Sequence, residues 1–218
     1  MCVDFTDLSK CCRKDPYPLS RIDKLVDIAA GCEVMSLLDC FLGYHQIWLN
    51  PDDEEKTSFI TLRETYCYRR MPEGLQNVGP TFSRMIDGVF NKQKGKNLVT
   101  YVDDIVVKND KKDAHIQDLQ ETFQNLRKSS LKLNPDKCIF GIKKGNLLGC
   151  LVSVKGIEAN LEMIAAIVNM KPPTSRKQVQ KLTGRLAALN RFIARSAEKG
   201  LPFFRTLRSS DHFEWGPE

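Results

Sequence analysis

Leu98-Val99-Thr100-Tyr101-Val102-Asp103-Asp104-Ile105-Val106-Val107 decides the reading of this chain: two apolar, largely β-branched runs are separated only by a pair of aspartates. Such runs read as a strand, a two-residue turn at Asp103-Asp104 and a returning strand, with both carboxylates at the hairpin tip. A solvated turn is the plain alternative. Asp-Asp is nevertheless poor hairpin chemistry, since tight two-residue turns favour Asn-Gly or Asp-Gly. Like charges side by side between apolar strands also resist simultaneous ionisation, so the pair calls for a cation. Mg2+ answers that call, because it takes carboxylate oxygens and keeps room for water and substrate phosphates.

A third carboxylate is placed to join them. Val34 to Leu38 is a compact apolar run that delivers Asp39 at its end, as a buried strand would. Three aspartates at neighbouring strand ends suit two-metal phosphoryl transfer, with ions about 4 Å apart on the attacking and leaving oxygens. No histidine base or covalent intermediate is required.

Around this centre the pattern alternates. Ile22, Leu25, Val26 and Ala29 mark a helix over 20–30 closed by Gly31, and Thr57 to Met71 reads as a hairpin with Tyr66 and Tyr68 alternating. Phe82, Met85, Ile86, Val89 and Phe90 predict a helix from about Pro80, and Ile116, Leu119, Phe123 and Leu126 predict one apolar helix face. Strands are expected at 138–142 and 146–152 after the turn Asn134-Pro135. The class is α+β. Beyond Gly156 two helices are expected, one carrying Leu161, Ile164, Ala165 and Val168, the last carrying Val179, Leu182, Leu186 and Leu189, with Ser175 and Gln178 as its capping box.

Bulk properties set limits without naming a function. With 218 residues, 42% hydrophobic and 28% charged, the chain can bury a core, and its net charge of +6 favours a polyanionic partner. Eight cysteines include no CxxC pair, so reduced thiols are expected rather than a zinc site or a disulfide framework. No apolar run reaches the roughly 20 residues of a membrane helix, and a soluble, intracellular protein with no membrane partner is expected.

Ordered blocks of this sequence resemble the reverse transcriptases of gypsy-type (Metaviridae) long-terminal-repeat retrotransposons, especially those of plants. They are VDFTDLSK (3–10), YPLSRID (17–23), LLDCFLGYHQI (37–47), EKTSFIT (55–61), MPEGLQNVGPTFSRM (71–85), YVDD (101–104), LKLNPDKCIFG (131–141), LLGCLVS (147–153), GIEAN (156–160) and QKLTGRLAALNRFI (180–193). The resemblance implies a right-hand polymerase: partial fingers and an antiparallel-sheet palm with flanking helices over 1–155, thumb helices over 156–208, and at 209–218 the start of a linker toward a ribonuclease H domain. It implies an RNA-directed and DNA-directed DNA polymerase taken from a Pol polyprotein, with two Mg2+ ions, or Mn2+ in their place, on Asp39, Asp103 and Asp104.

Further roles come from the same resemblance. Tyr44 lies under the incoming sugar, where its ring would clash with a 2′-hydroxyl; an ordinary half-buried aromatic is the alternative. Gly74 lets backbone approach the nucleotide and template, or simply serves a turn with positive φ. Lys137 lies near the triphosphate, or is a solvated surface lysine. Tyr101 opens the Y-x-D-D signature beside the nucleic acid. Leu148, Gly149 and Cys150 align with the hairpin that grips the primer end, and Gln180, Gly184 and Arg185 with the helix along the duplex minor groove. Lys177, Lys181, Arg191 and Arg195 extend that helix's basic character, which a solvated charged face would also explain.

The implied partners are an RNA template, a DNA primer–template duplex and dNTPs, with a second copy of the chain or other Pol domains left open. The implied location is a cytoplasmic particle or the nucleus. The sequence departs from the family at Glu73, where these elements carry Phe, or Gln in retroviral relatives, and at Ser9, Ser129 and Ser130. By the resemblance, the basic finger strand that precedes VDF and the carboxylates of ribonuclease H lie outside this sequence. A truncated, inactive relic that keeps the fold and binds nucleic acid or a partner is therefore the competing expectation.

Overall fold

The computed structural model describes residues 3–208, so the expected linker start at 209–218 lies outside the described residues. In chain order the elements are α1 (Thr6–Cys11), α2 (Ile22–Ala29), β1 (Val34–Asp39), α3 (Pro51–Glu54), β2 (Phe59–Ile60), β3 (Thr65–Tyr66), α4 (Val78–Val89), β4 (Leu98–Tyr101), β5 (Asp104–Asn109) and α5 (Lys112–Lys128). Then come β6 (Ile139–Ile142), β7 (Lys144–Leu147), β8 (Cys150–Ser153), β9 (Gly156–Ala159), α6 (Leu161–Val168), α7 (Arg176–Ala188) and α8 (Ser196–Arg208). The α+β class follows directly from this order.

The chain divides into two compact units. The first runs to Gly145 and takes in Ser153–Lys155; the second comprises Asn146–Val152 and the described residues from Gly156 onward. In the first, a four-stranded sheet has the order β4-β5-β1-β6, antiparallel throughout. Its central strands are apolar on both faces: Met35, Leu38, Ile105, Val106 and Val107 are all buried. Phe82 and Ile86 of α4, with Phe90 just past its end, join Leu38, Ile105, Val107 and Leu126 of α5 in one core. Each such side chain contributes about 1.5–3 kcal/mol by leaving water.

Several expectations shift by a residue or a face. α4 begins at Val78 rather than Pro80, so Pro80 falls in the first turn, where N–H groups have no intrahelical partner to lose. The 57–71 hairpin has arms of only two residues, and Tyr68 lies outside them, packed at 5.4 Å on the Phe59 ring. On α5, Ile116 is 68% exposed and the buried positions are His115, Thr122 and Leu126. The expected apolar face is thus replaced in part by polar side chains that find hydrogen-bond partners, for which hydrophobic periodicity carries no signal.

In the second unit, the strand read from the apolar pattern over 146–152 is two arms of a hairpin, the element the resemblance implied around Leu148-Gly149-Cys150; it turns at Leu148-Gly149, both at positive φ (49° and 83°). That is the geometry of a tight two-residue turn. β9 precedes the first of the helices, and α8 follows the helix expected to be last. Gly200 and Pro202 inside α8 hide it from a propensity reading. The Ser175 cap forms as expected, accepting from Gln178 N–H at 3.4 Å, but the Gln178 side chain reaches back to the N–H of Thr174 (2.7 Å) rather than that of Ser175.

Candidate active site

β1 and β5 pair antiparallel through Val34↔Asn109 to Asp39↔Asp104, so two of the three aspartates face each other across the last rung of the ladder. β4 returns to β5 with Tyr101 opposite Asp104. The turn is therefore Val102-Asp103, one residue earlier than the Asp103-Asp104 turn expected, and Asp104 opens the returning strand. Val102 adopts φ +49°. A β-branched residue in that region is strained by about 1–3 kcal/mol and persists only where its surroundings over-determine it.

Those surroundings are visible. Cys40 N–H donates to the Asp103 carbonyl at 3.4 Å, which ties the turn to the residue after Asp39. Gly43 underlies the Asp103 carboxyl so closely that a Cβ there would stand 2.9 Å from Oδ1 and 3.1 Å from the Phe82 ring. The sequence reading missed Gly43, since a lone glycine announces nothing about what approaches it. It also missed Gln46, whose side chain donates to the Phe41 and Lys132 carbonyls (2.6 and 3.0 Å) and accepts from Lys132 N–H (2.7 Å). Gln46 thereby staples the one-turn helix Gly43–Gln46 to the segment leading to Lys137.

Lys137 reaches the carboxylates directly. Asn134 N–H donates to the Asp39 carbonyl at 2.9 Å, the Asn134 side chain caps the short turn Pro135–Lys137, and Lys137 Nζ stands 3.4 Å from Asp39 Oδ2. The lysine side chain is 70% exposed. Asp39, Asp103, Asp104, Tyr101, Val102 and Lys137 together line an open cavity of about 470 Å³.

The electrostatics are those of crowded negative charge. Burial, then repulsion from Asp39 and Asp104, pushes the Asp103 carboxyl up to about 6, with the Tyr44 hydroxyl pulling the other way. Partial desolvation and Asp39 raise Asp104 as well, and Lys137 offsets part of that. Burial and Asp103 push the Tyr44 phenol up to about 12; burial, Asp103 and Asp39 push the Cys40 thiol to about 12. Tyr44 sits edge-on to Phe82 at 5.5 Å between ring centroids. Glu73 is exposed, and its charge is felt at both Asp103 and Tyr44. Gly74 adopts φ +95° with Phe5 3.7 Å from the place a Cβ would take.

Among the described residues, no three His, Cys, Asp or Glu side chains converge as a ready-made metal cage. The donors present still suit a hard divalent cation. They are all carboxylates, they repel one another, and Asp103 Oδ1 is buried with no hydrogen-bond partner.

The other expected residues belong to the second unit. Cys150 is buried in β8, and a Cβ on Gly149 would stand 3.1 Å from Met163 Cε. Gln180 and Gly184 lie on α7. Arg185 is turned to its own helical neighbours: its guanidinium donates to the Ala166 carbonyl at the end of α6 and contacts Met170 Sδ at 3.7 Å. The carbonyls that end a helix attract a cation in this way.

The profile of the family described as "Reverse transcriptase (RNA-dependent DNA polymerase)" matches residues 1–152. The chain belongs to the reverse transcriptase family. Reverse transcriptases work with divalent metal ions, in keeping with the carboxylate donors. This reverse transcriptase chain is 33% identical over 208 residues to the "Retrovirus-related Pol polyprotein from transposon opus" of Drosophila melanogaster, covering 95% of the chain and 21% of the relative. It is 27% identical over 217 residues to the "Transposon Tf2-3 polyprotein" of Schizosaccharomyces pombe (strain 972 / ATCC 24843), covering 100% and 16%. The chain thus spans about a fifth of the length of the first of these curated relatives and about a sixth of the second.

Among solved structures it superposes on the foamy viral protease-reverse transcriptase dRH in complex with ds DNA. The TM-score is 0.91 at 18% identity, over 98% of this chain and 38% of that one. The foamy viral protease-reverse transcriptase in complex with an RNA/DNA hybrid gives 0.88 at 18% identity, over 98% and 29%. The right-hand polymerase fold expected of the chain is the fold it has.

Proposed function

We propose that this chain is the polymerase core of a retrotransposon Pol polyprotein of the gypsy type, plant-like in its motifs, which adds dNTPs to a primer 3′-hydroxyl on RNA or DNA templates. The observation that carries the reading is the pairing of Asp39 with Asp104 across β1 and β5, with Asp103 on the adjoining turn and all three on one open cavity. Asp39, Asp103 and Asp104 would hold two Mg2+ ions, or Mn2+ in their place. Bound there, the metal supplies charge stabilisation for the attacking hydroxyl and the leaving pyrophosphate.

The chain's own residues do the rest. Lys137, 3.4 Å from Asp39 and largely exposed, offsets part of the carboxylate charge and reaches toward the triphosphate, where its ammonium can protonate pyrophosphate. Tyr44, braced by Phe82, presents its ring to the sugar and excludes a 2′-hydroxyl. Gly74 and Glu73 face the nucleotide and template. Residues 1–155 act as partial fingers and palm and 156–208 as thumb, with Leu148, Gly149 and Cys150 at the primer end and α7, through Gln180 and Gly184, along the duplex. Arg185 orients α6 against α7 in that scheme. Foamy viral structures bound to ds DNA and to an RNA/DNA hybrid and the net charge of +6 support a nucleic-acid partner for this chain.

Primer extension on an RNA template with Mg2+ or Mn2+ tests this reading. Incorporation by the wild type and its loss in Asp104→Asn are expected; equal incorporation by both overturns it. A second reading, a fold-retaining relic that binds nucleic acid without turnover, is favoured by one observation: the negative charge of Glu73 is felt at Asp103 and Tyr44. Salt-dependent duplex binding with no incorporation would establish that reading instead.

A further inference from the structure

His115 is a buried imidazole, 4% exposed, that the proposed chemistry leaves unused. Its Nε2 lies 2.7 Å from Ser36 Oγ on β1 and its Nδ1 lies 2.6 Å from Asn109 Oδ1 on β5. The direction of each bond follows from the next one out. Asn109 Nδ2 donates to the Asp118 carboxylate, so Asn109 Oδ1 is the acceptor and His115 Nδ1 carries the proton. Nε2 is then bare and accepts the Ser36 hydroxyl, whose oxygen in turn accepts the Gly141 N–H of β6 at 3.1 Å. Both ring nitrogens of His115 have a matching partner once the imidazole is neutral. Burial favours that form by holding the ring below its ordinary value, against the opposing pull of Asp118.

The chain of bonds spans three strands and meets the β1–β6 pairing where that register shifts, beside an unbroken β1–β5 ladder. Between Met35↔Ile142 and Leu37↔Ile139, two steps along β1 match three along β6, and Gly141 within that slip adopts φ +66°. Ser36 stands at the slip. By the two-residue alternation of a strand, Ser36 and Asp39 lie on opposite faces of β1, and Asn109 and Asp104 on opposite faces of β5. His115 therefore works from behind the sheet, through register rather than by contact. A slip of one residue would turn Asp39 or Asp104 to the wrong face.

We propose that His115 is a positioning residue for the carboxylate site, holding β1, β5 and β6 through Ser36 and Asn109 in the one registry that sets Asp39 opposite Asp104. The proposal rests on the reading of that site as a metal site. Its test is a nucleotide-free titration of the full chain with Mn2+, followed by water-proton relaxation, alongside the Mg2+ dependence of primer extension. His115→Leu keeps bulk and removes both ring partners; Ser36→Ala breaks the chain from the other end with less risk to folding. Both are expected to weaken Mn2+ binding by about tenfold, the lower range for residues that orient ligands from outside, with KM for dNTP changed less than about twofold. His115→Gln, whose carboxamide offers one donor and one acceptor, should recover most of the affinity.

Loss of thermal stability with wild-type Mn2+ affinity in both disruptive variants overturns the proposal, as does a Gln variant no better than Leu. Wild-type protein that binds Mn2+ but incorporates nothing refutes the polymerase reading alone, and the relaxation titration still decides on His115. Wild-type protein that binds no Mn2+ removes the metal reading and this proposal with it.

Discussion

Gly43 and Asp103 are in intimate contact: a Cβ on Gly43 would stand 2.9 Å from Asp103 Oδ1 and 3.1 Å from the Phe82 ring. Neither neighbour can yield easily, since Phe82 is fully buried in the core and Asp103 is held at a strained turn. Gly43→Ala should therefore cost about 1–3 kcal/mol of stability through overpacking. A displaced carboxylate should also lower nucleotide incorporation by about 10- to 100-fold. Thermal melts and single-nucleotide extension measure the two effects separately; an alanine variant with wild-type rate would show that the carboxylate position is not critical.

The raised Asp103 carboxyl makes a claim about stability whose sign is definite. Its folded value, about 6 against an ordinary 3.8, means that the folded state prefers the protonated acid. Above about pH 6 the ionised group destabilises the metal-free protein, and the penalty is relieved as pH falls through 6 toward 3.8. Asp103→Asn should thus stabilise the metal-free chain at pH 7.5 by about 1 kcal/mol, discounted for solvent screening, or about 3 °C in Tm. That gain should shrink on acidification to pH 5. A melt in chelator that shows Asp103→Asn less stable than wild type at pH 7.5 would contradict the assigned repulsion.

Tyr44 is braced rather than merely buried, with its ring set edge-on to Phe82 at 5.5 Å. Tyr44→Val removes the ring and keeps an apolar side chain. Discrimination against ribonucleotides should fall by about 10-fold or more, the range a single steric contact supplies. Competition between dCTP and CTP in primer extension reads this ratio, and unchanged discrimination would return Tyr44 to a packing role.

Glu73 acts at a distance, being exposed while its charge reaches Asp103 and Tyr44. Glu73→Gln should lower KM for dNTP by about 2- to 5-fold at low salt, and the difference should fade as the screening length drops to about 10 Å near 0.1 M ionic strength. A salt-independent change would point to shape rather than charge.

Legibility in the sequence followed the chemistry of each segment. The β4–β5 hairpin, β1 and the three aspartates could be read because apolar runs broken by acids have few structural solutions. The turn itself was misplaced by one residue because Val102, a poor candidate for positive φ, is forced there by contacts that no local pattern encodes. Gly43 and Gln46 act through long-range approaches and stayed hidden. His115 was passed over in favour of Ile116 because apolar periodicity assigns no value to a buried imidazole whose partners are 79 residues away on β1 and 6 residues away on β5. In the second unit, the Arg185 bond to the Ala166 carbonyl stayed hidden, since a carbonyl at the end of α6 leaves no mark in the sequence.

Cys40 sits directly after Asp39, is 4% exposed, and has its thiol held near 12 by burial and the adjoining acids. A thiol that stays protonated at neutral pH is a poor nucleophile. Maleimide or iodoacetamide chemistry will accordingly modify the exposed Cys11, Cys12 and Cys67 and spare Cys40. Cys40 therefore needs no protection during such labelling, whereas Cys138, half-buried with its Sγ 3.5 Å from the Asp39 backbone nitrogen, has to be replaced before fluorophores are attached for following nucleic-acid binding.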